Sequence, residues 1–233
     1  MDKVCDYLQE LYVNFPRYVL SAEDKKVIEH LGKAEWITQK LILGKFRKAK
    51  ISQNSRQDIF DKVSLSLKEN KPLYLIICFG GYKHFWNPSH PQIDFAEFFN
   101  LRFMSEYFAP ILVVHPPGVI LDYESEDVIL PMMNNYPESA LDEYAQSFRE
   151  LIKLYTQNIP KNFKINYVRS QEQYDTSKVF KRITELMPKK RKEWKKLSKE
   201  EREKRLHKAA NSIMWKGKED LTGLNEKEKR KKI

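Results

Sequence analysis

The sequence predicts an α/β fold: a Rossmann-like three-layer sandwich with a mainly parallel sheet, followed by a helical, basic C-terminal extension. Three observations predict it. Short apolar runs at 73–79, 119–123 and 163–168 alternate with longer stretches of helical periodicity, the pattern of successive β-α-β units. The first two runs are separated by a full helix, a connection that implies parallel strands joined by a right-handed crossover. Finally, the formal net charge of +10 is unevenly placed: residues 188–233 hold 18 Lys+Arg against 8 Asp+Glu, whereas residues 1–187 balance at 24 against 24. The chain is therefore read as an α/β domain over 1–187, with a helical lead-in to residue 70 and a β-α-β core over 71–187, and a basic helical tail over 188–233.

The elements follow in order. Lys3 to Tyr12 reads as a short helix ended by Phe15-Pro16. Ser21-Ala22-Glu23-Asp24 is a helix start, and Val27, Ile28, Leu31, Ile37, Leu41 and Ile42 follow at helical spacing. A third helix spans about Arg56 to Glu69. Leu73 to Phe79 is a continuous apolar run between Pro72 and Gly80-Gly81, the signature of a strand buried on both faces, with Cys78 a buried thiol inside it. Asp94 to about Val114 reads as a long helix stopped by Pro116-Pro117-Gly118, and Val119 to Tyr123 as the second strand. Val128 to Met133 reads as a short apolar helix. Ser139 to Asn158 is an amphipathic helix with Ser139 and Asp142 at capping-box spacing. Phe163 to Val168 is the third strand, and Thr176 to Leu186 the closing helix.

Composition removes several classes. At 233 residues, 41% hydrophobic and 12% aromatic, the chain can bury a core, which excludes intrinsic disorder; 7 Gly and 11 Pro exclude a collagen-like or low-complexity chain. No apolar run reaches the roughly 18 residues of a membrane span. The mixed-charge start, Met1-Asp2-Lys3-Val4-Cys5-Asp6, lacks the apolar stretch of a secretory signal. Two cysteines, Cys5 and Cys78, make no disulfide framework, so a reducing, cytoplasmic setting is expected.

Ligands of open parallel sheets bind beyond the carboxyl ends of the strands. Two loops at that edge carry unusual residues. In the first, Gly80-Gly81 lets backbone amides approach a ligand, Tyr82 follows, and Lys83 can neutralise a phosphate or carboxylate; a tight turn with a surface lysine reads equally well. His84, His90 and His115 fit no zinc spacing, so no metal is assigned. The second loop, Glu124-Ser125-Glu126-Asp127, offers carboxylates and a hydroxyl for proton handling, or simply a cap for the next helix. Asp94 and Glu97 pose the same alternative, catalysis or a capping box at a helix start. Tyr144, Arg149 and Asn134-Asn135 are further polar candidates.

The segment from about Ile42 to Tyr155 resembles, distantly, the isonitrile (isocyanide) synthase family that acts on aromatic amino acids. The corresponding features are the buried strand ending in Gly80-Gly81-Tyr82-Lys83, the helix start at Asp94 and Glu97, Pro116-Pro117-Gly118 before a strand, the turn Ser125-Glu126-Asp127, and the helix with Asp142 and Tyr144. This chain has Gly-Gly where that family carries proline before the lysine, and Ser-Glu-Asp where it carries Ser-Asp-Gly. The resemblance implies conversion of an amino-acid amine to an isonitrile with a pentose phosphate as carbon donor and no further cofactor. It implies that Lys83 binds phosphate or forms an adduct with the sugar carbonyl. Glu97, Ser125 and Asp127 would handle protons and hydroxyls, and Gly80, Gly81, Tyr82, Asp94 and Tyr144 would bind substrate.

The tail has two readings of its own. Trp194, Leu197 and Leu206 give a thin apolar stripe on a helix of mixed charge, which suits a solvated helix with i,i+4 pairs or a nucleic-acid contact through phosphates. Ile213-Met214-Trp215 and Leu221 to Leu224 suggest that it docks back on the body. The chain stops within an apparent helix, Asn225 to Ile233, as a sequence lacking a C-terminal part would. Besides the small-molecule enzyme, two other classes fit: a protein using aminoacyl-tRNA, as cyclodipeptide synthases do, and a nucleic-acid-binding protein acting through its tail.

Overall fold

The computed structural model describes residues 2–43, 50–79, 92–125, 127–128 and 137–213. Three strands, β1 (Leu73–Cys78), β2 (Val119–Ser125) and β3 (Phe163–Arg169), form a sheet in the order β1-β2-β3. Leu73 N–H donates to the Gly118 carbonyl and Phe79 N–H to the Glu124 carbonyl, so the register offset is the same at both ends and the pair is parallel. The chain is a mixed α/β protein, as the alternation of runs predicts, and the helices outweigh the sheet.

The chain divides into two compact units. The first comprises Met1–Ile77, Ile93–Asp122 and Phe148–Asn166. Its helices are α1 (Asp2–Val13), α2 (Ala22–Leu41), α3 (Gln53–Lys68), α4 (Phe95–Val114) and the second half of α5 (Glu138–Tyr155). Local chemistry sets the boundaries. Ser21 and Asp24 form a reciprocal capping box, each side chain accepting from the other's backbone N–H at 3.0 Å. Ser52 caps α3, accepting from Ser55 N–H at 3.1 Å, so the helix starts three residues before the expected Arg56. Gly32, at φ 83°, interrupts α2, so the single helix expected from periodicity is two segments meeting at a kink; Leu31 is 59% exposed, while Trp36 and Ile37 are buried. Trp36, Ile37, Leu101, Phe108, Ile111, Val119, Leu121 and Phe163 make the core of this unit.

Asp24 ties this unit together. Its carboxylate accepts from the Trp36 indole at 2.9 Å and from the Tyr18 hydroxyl at 2.6 Å, and pairs with Lys40 at 2.9 Å. Burial would raise its pKa, but the hydrogen bonds from Tyr18, Lys40, Trp36 and Ser21 outweigh that and hold it well below the usual carboxylate range. The Pro116-Pro117-Gly118 stop works by close approach: Gly118 sits at φ 80°, and a Cβ there would lie 1.7 Å from the Asn162 carbonyl oxygen.

The expectation that 73–79 is buried on both faces is corrected. Burial in β1 alternates, with Leu73 buried and Tyr74 and Ile76 more than half exposed, because β1 is an edge strand while β2 lies in the middle with Leu121, Asp122 and Tyr123 all buried. Cys78 shares the exposed parity and is an exposed thiol rather than a buried one.

The second unit comprises Cys78–Gln92, Tyr123–Ser147 and Tyr167–Ile233. It holds the carboxyl ends of all three strands, the start of α5, the short α6 (Ser170–Gln173), α7 (Thr176–Lys196) and α8 (Lys199–Ile213). The closing helix expected to stop near Leu186 continues through Pro188 to Lys196. Ser198 then starts α8, accepting from Glu201 N–H at 3.1 Å. Of the helix expected at Val128 to Met133 only Val128 is described, and the tail beyond residue 213 lies outside the described residues.

Candidate functional site

At the carboxyl end of the sheet β2 extends two residues further than the apolar run suggests, so Glu124 and Ser125 belong to the strand rather than to a loop. β3 ends at Arg169, and Ser170 opens α6 directly beside it. Cys78, Glu124, Ser125, Val128, Ser170, Tyr174 and Val179 line a cavity of about 250 Å³ there. All seven belong to the second unit.

The polar groups of this cavity differ in how they are satisfied. Ser170 Oγ donates to Glu124 Oε1 at 3.3 Å and also to the Ser125 carbonyl. The negative charge of Glu124, foremost, holds the Tyr174 phenol above its ordinary pKa. Ser125 is different: it is 4% exposed, and its Oγ has no hydrogen-bond partner among the described residues. Buried hydroxyls are nearly always paired, because leaving one unpaired costs on the order of 1–3 kcal/mol. Ser125 contributes to the cavity wall although its hydroxyl oxygen is itself covered.

Two residues after Ser125, Asp127 is 2% exposed and accepts from Arg169 Nε at 2.6 Å and from Gln171 N–H at 3.2 Å. Arg169 Nη1 also donates to Asp142 at 2.5 Å. Burial works to lower the Arg169 pKa, but the bonds to Asp127 and Asp142 leave it above its ordinary value. Asp142 is thus used by Arg169 rather than in the expected Ser139–Asp142 capping box, since α5 already begins at Glu138 and Ser139 lies inside the first turn. Tyr144 is 1% exposed and packs edge-on against Tyr167, with ring centroids 6.1 Å apart.

Asp94 and Glu97 belong to the first unit and form a capping box for α4. Asp94 N–H donates to Glu97 Oε2 at 2.8 Å, and Ala96 N–H donates to Asp94 Oδ1 at 2.7 Å. Asp94 also lines, with Gln9, Tyr12, Ile93, Phe95, Phe98 and Leu151, an open and largely apolar hollow of about 460 Å³. His115 bonds the Lys71 carbonyl at 2.8 Å, and no group of three metal-ligating side chains occurs among the described residues. Gly80, Gly81, Tyr82, Lys83, His84, His90, Glu126, Asn134 and Asn135 lie outside the described residues.

Sequence reasoning therefore reached Ser125 and Asp127 but passed over Cys78, Arg169, Ser170 and Tyr174. The missed signal was the end of the third strand: a reading that places ligands beyond strand ends applies to Arg169-Ser170 as much as to the first two. The chain matches no protein-family model, no curated protein and no solved structure. The site stands on its own geometry, that of a mixed α/β protein with a largely apolar cavity, edged by a few polar groups, at the carboxyl ends of parallel strands.

Proposed function

We propose that the chain is a small-molecule enzyme of the isonitrile-synthase type, acting on the amine of an aromatic amino acid in the cavity beyond β1, β2 and β3. The observation that carries this reading is Ser125 in the wall of that cavity, its buried hydroxyl without a hydrogen-bond partner among the described residues. The described lining contributes a carboxylate, three hydroxyls and a thiol but no cation, so it suits a donor-rich group such as an ammonium rather than a phosphate. In this reading Glu124 accepts from the substrate amine and moves its proton, Ser125 and Tyr174 orient it, and the pentose phosphate is held by Lys83. Asp127, engaged with Arg169, acts as a positioning residue for the turn, and Glu97 as a helix cap.

The Rossmann-like three-layer arrangement belongs to the same proposal. Parallel sheets bury both faces, and the face bearing the exposed Tyr74, Ile76 and Asn166 is where a further layer would lie.

Mass spectrometry of tyrosine or tryptophan incubated with the protein and a pentose phosphate tests the reaction. The expected result is a product carrying one added carbon on nitrogen, lost in Glu124→Gln and Lys83→Ala. No new product with either amino acid overturns the reading.

A further inference from the structure

α7 carries two faces of opposite character. Val179, Ile183, Leu186 and Trp194 recur on one side and are all half-buried, so this stripe is already engaged in packing. On the other side, at 100° per residue, lie Lys178, Lys181, Arg182, Lys189, Lys192 and Lys196, all exposed and interrupted there only by Glu185. Lys178 and Arg182 pair with Asp175 and Glu185 at 3.7 and 3.4 Å. Lys181, Lys189, Lys192 and Lys196 make no ion pair among the described residues. The helix has 21 residues and so extends about 32 Å.

An outward row of unpaired cations over that length matches an extended, regularly repeating polyanion. Insertion into a bilayer would require a wide free apolar face, and on that side of α7 only Phe180 and Met187 are exposed while Val179, Ile183, Leu186 and Trp194 are engaged in packing. Base stacking would require aromatics among the cations, and Phe180 and Trp194 lie on the other side of the helix. We propose that this face of α7 binds the phosphodiester backbone of duplex nucleic acid without reading its sequence. The surface is independent of the cavity beside β2, so either assignment can fail without the other.

Fluorescence anisotropy of the full chain tests it, with a 20-base-pair DNA duplex, a 20-residue oligothymidylate and vesicles containing phosphatidylserine as probes. With about five phosphates neutralised, log K should fall with log salt at a slope of about −4 to −5 for the duplex. Lys181→Glu, Lys189→Glu, Lys192→Glu and Lys196→Glu together should weaken duplex binding on the order of 100-fold at low salt and bring the slope to about −1. A control reversing Lys26, Lys33, Lys62 and Lys161, all exposed and elsewhere, carries the same net charge and should retain affinity within about threefold. If circular dichroism shows that the reversal disturbs α7, Lys→Gln at the same four positions replaces it, with a smaller loss expected. An equal loss in the control, tighter binding to the oligothymidylate, binding to vesicles but not duplex, or an unchanged slope in the α7 variant each overturns the proposal.

Discussion

Arg169 and Asp127 meet at 2.6 Å with only 9% and 2% of their side chains exposed, so the turn leaving β2 is fastened to the end of β3 by a charge pair taken out of water. Such a pair contributes little net stability over a well-packed apolar substitute, but removing one partner strands a buried charge. The contact therefore fixes where Ser125 and Glu124 point more than how stable the chain is.

Asp127→Asn should accordingly cost about 3–5 kcal/mol in urea unfolding, because the Arg169 charge stays buried with less to neutralise it. Asp142→Asn should cost under about 1 kcal/mol, since that partner is 62% exposed and solvent screens it. Equal losses would show that the Asp127 contact is not a desolvated one.

The Asp24 cluster predicts a pH dependence of stability. Its folded pKa is depressed, so the unfolded state binds the proton more readily. The stabilisation is complete above the unfolded value of about 3.9 and is lost progressively as the pH falls from there toward the depressed folded value. Unfolding free energies between pH 6 and pH 3 should fall more steeply for the native chain than for Asp24→Asn. That variant should already be about 3 kcal/mol less stable at pH 6, having lost the acceptor for Trp36 and Tyr18 and the partner of Lys40. Parallel pH profiles would contradict the assignment.

Gly32 and Gly118 share a positive φ but not a neighbourhood. Among the described residues an added Cβ meets nothing within 4 Å at Gly32, whereas at Gly118 it overlaps the Asn162 backbone. Gly32→Ala should cost about 1–3 kcal/mol, the strain of a positive φ with extended ψ alone, and Gly118→Ala more than about 3 kcal/mol, because β2 and the chain entering β3 must separate. Thermal unfolding of the two variants decides it; equal costs would mean that the approach of Gly118 to Asn162 relaxes freely.

The parts of this structure that obey short-range rules were legible in the residues. The capping pairs Ser21/Asp24 and Asp94/Glu97, the stop at Pro116-Pro117-Gly118 and the three strands all follow from local spacing and backbone chemistry. The alternating exposure of Tyr74, Ile76 and Cys78 was not legible, since an apolar run does not say whether its strand lies in the middle of a sheet or at its edge. Nor was the diversion of Asp142 from its expected cap to Arg169, which depends on a contact spanning 27 residues of chain. The closing helix was expected to end at Leu186, yet helix α7 runs on through Pro188 to Lys196. Of the site, Ser125 was found from its position after a strand, while Ser170 and Tyr174 enter through β3, whose end carries no glycine or charge cluster to flag it.

The claim that the cavity beside β2 is built for a ligand is tested most directly by thermal unfolding of Ser125→Ala, with and without millimolar tyrosine. Because Ser125 Oγ is buried without a partner among the described residues, its removal should leave the unliganded Tm unchanged or raise it, while abolishing the upward shift that tyrosine gives the native chain. A lowered unliganded Tm with the tyrosine shift intact would contradict the account, showing a hydroxyl that holds the fold rather than a ligand.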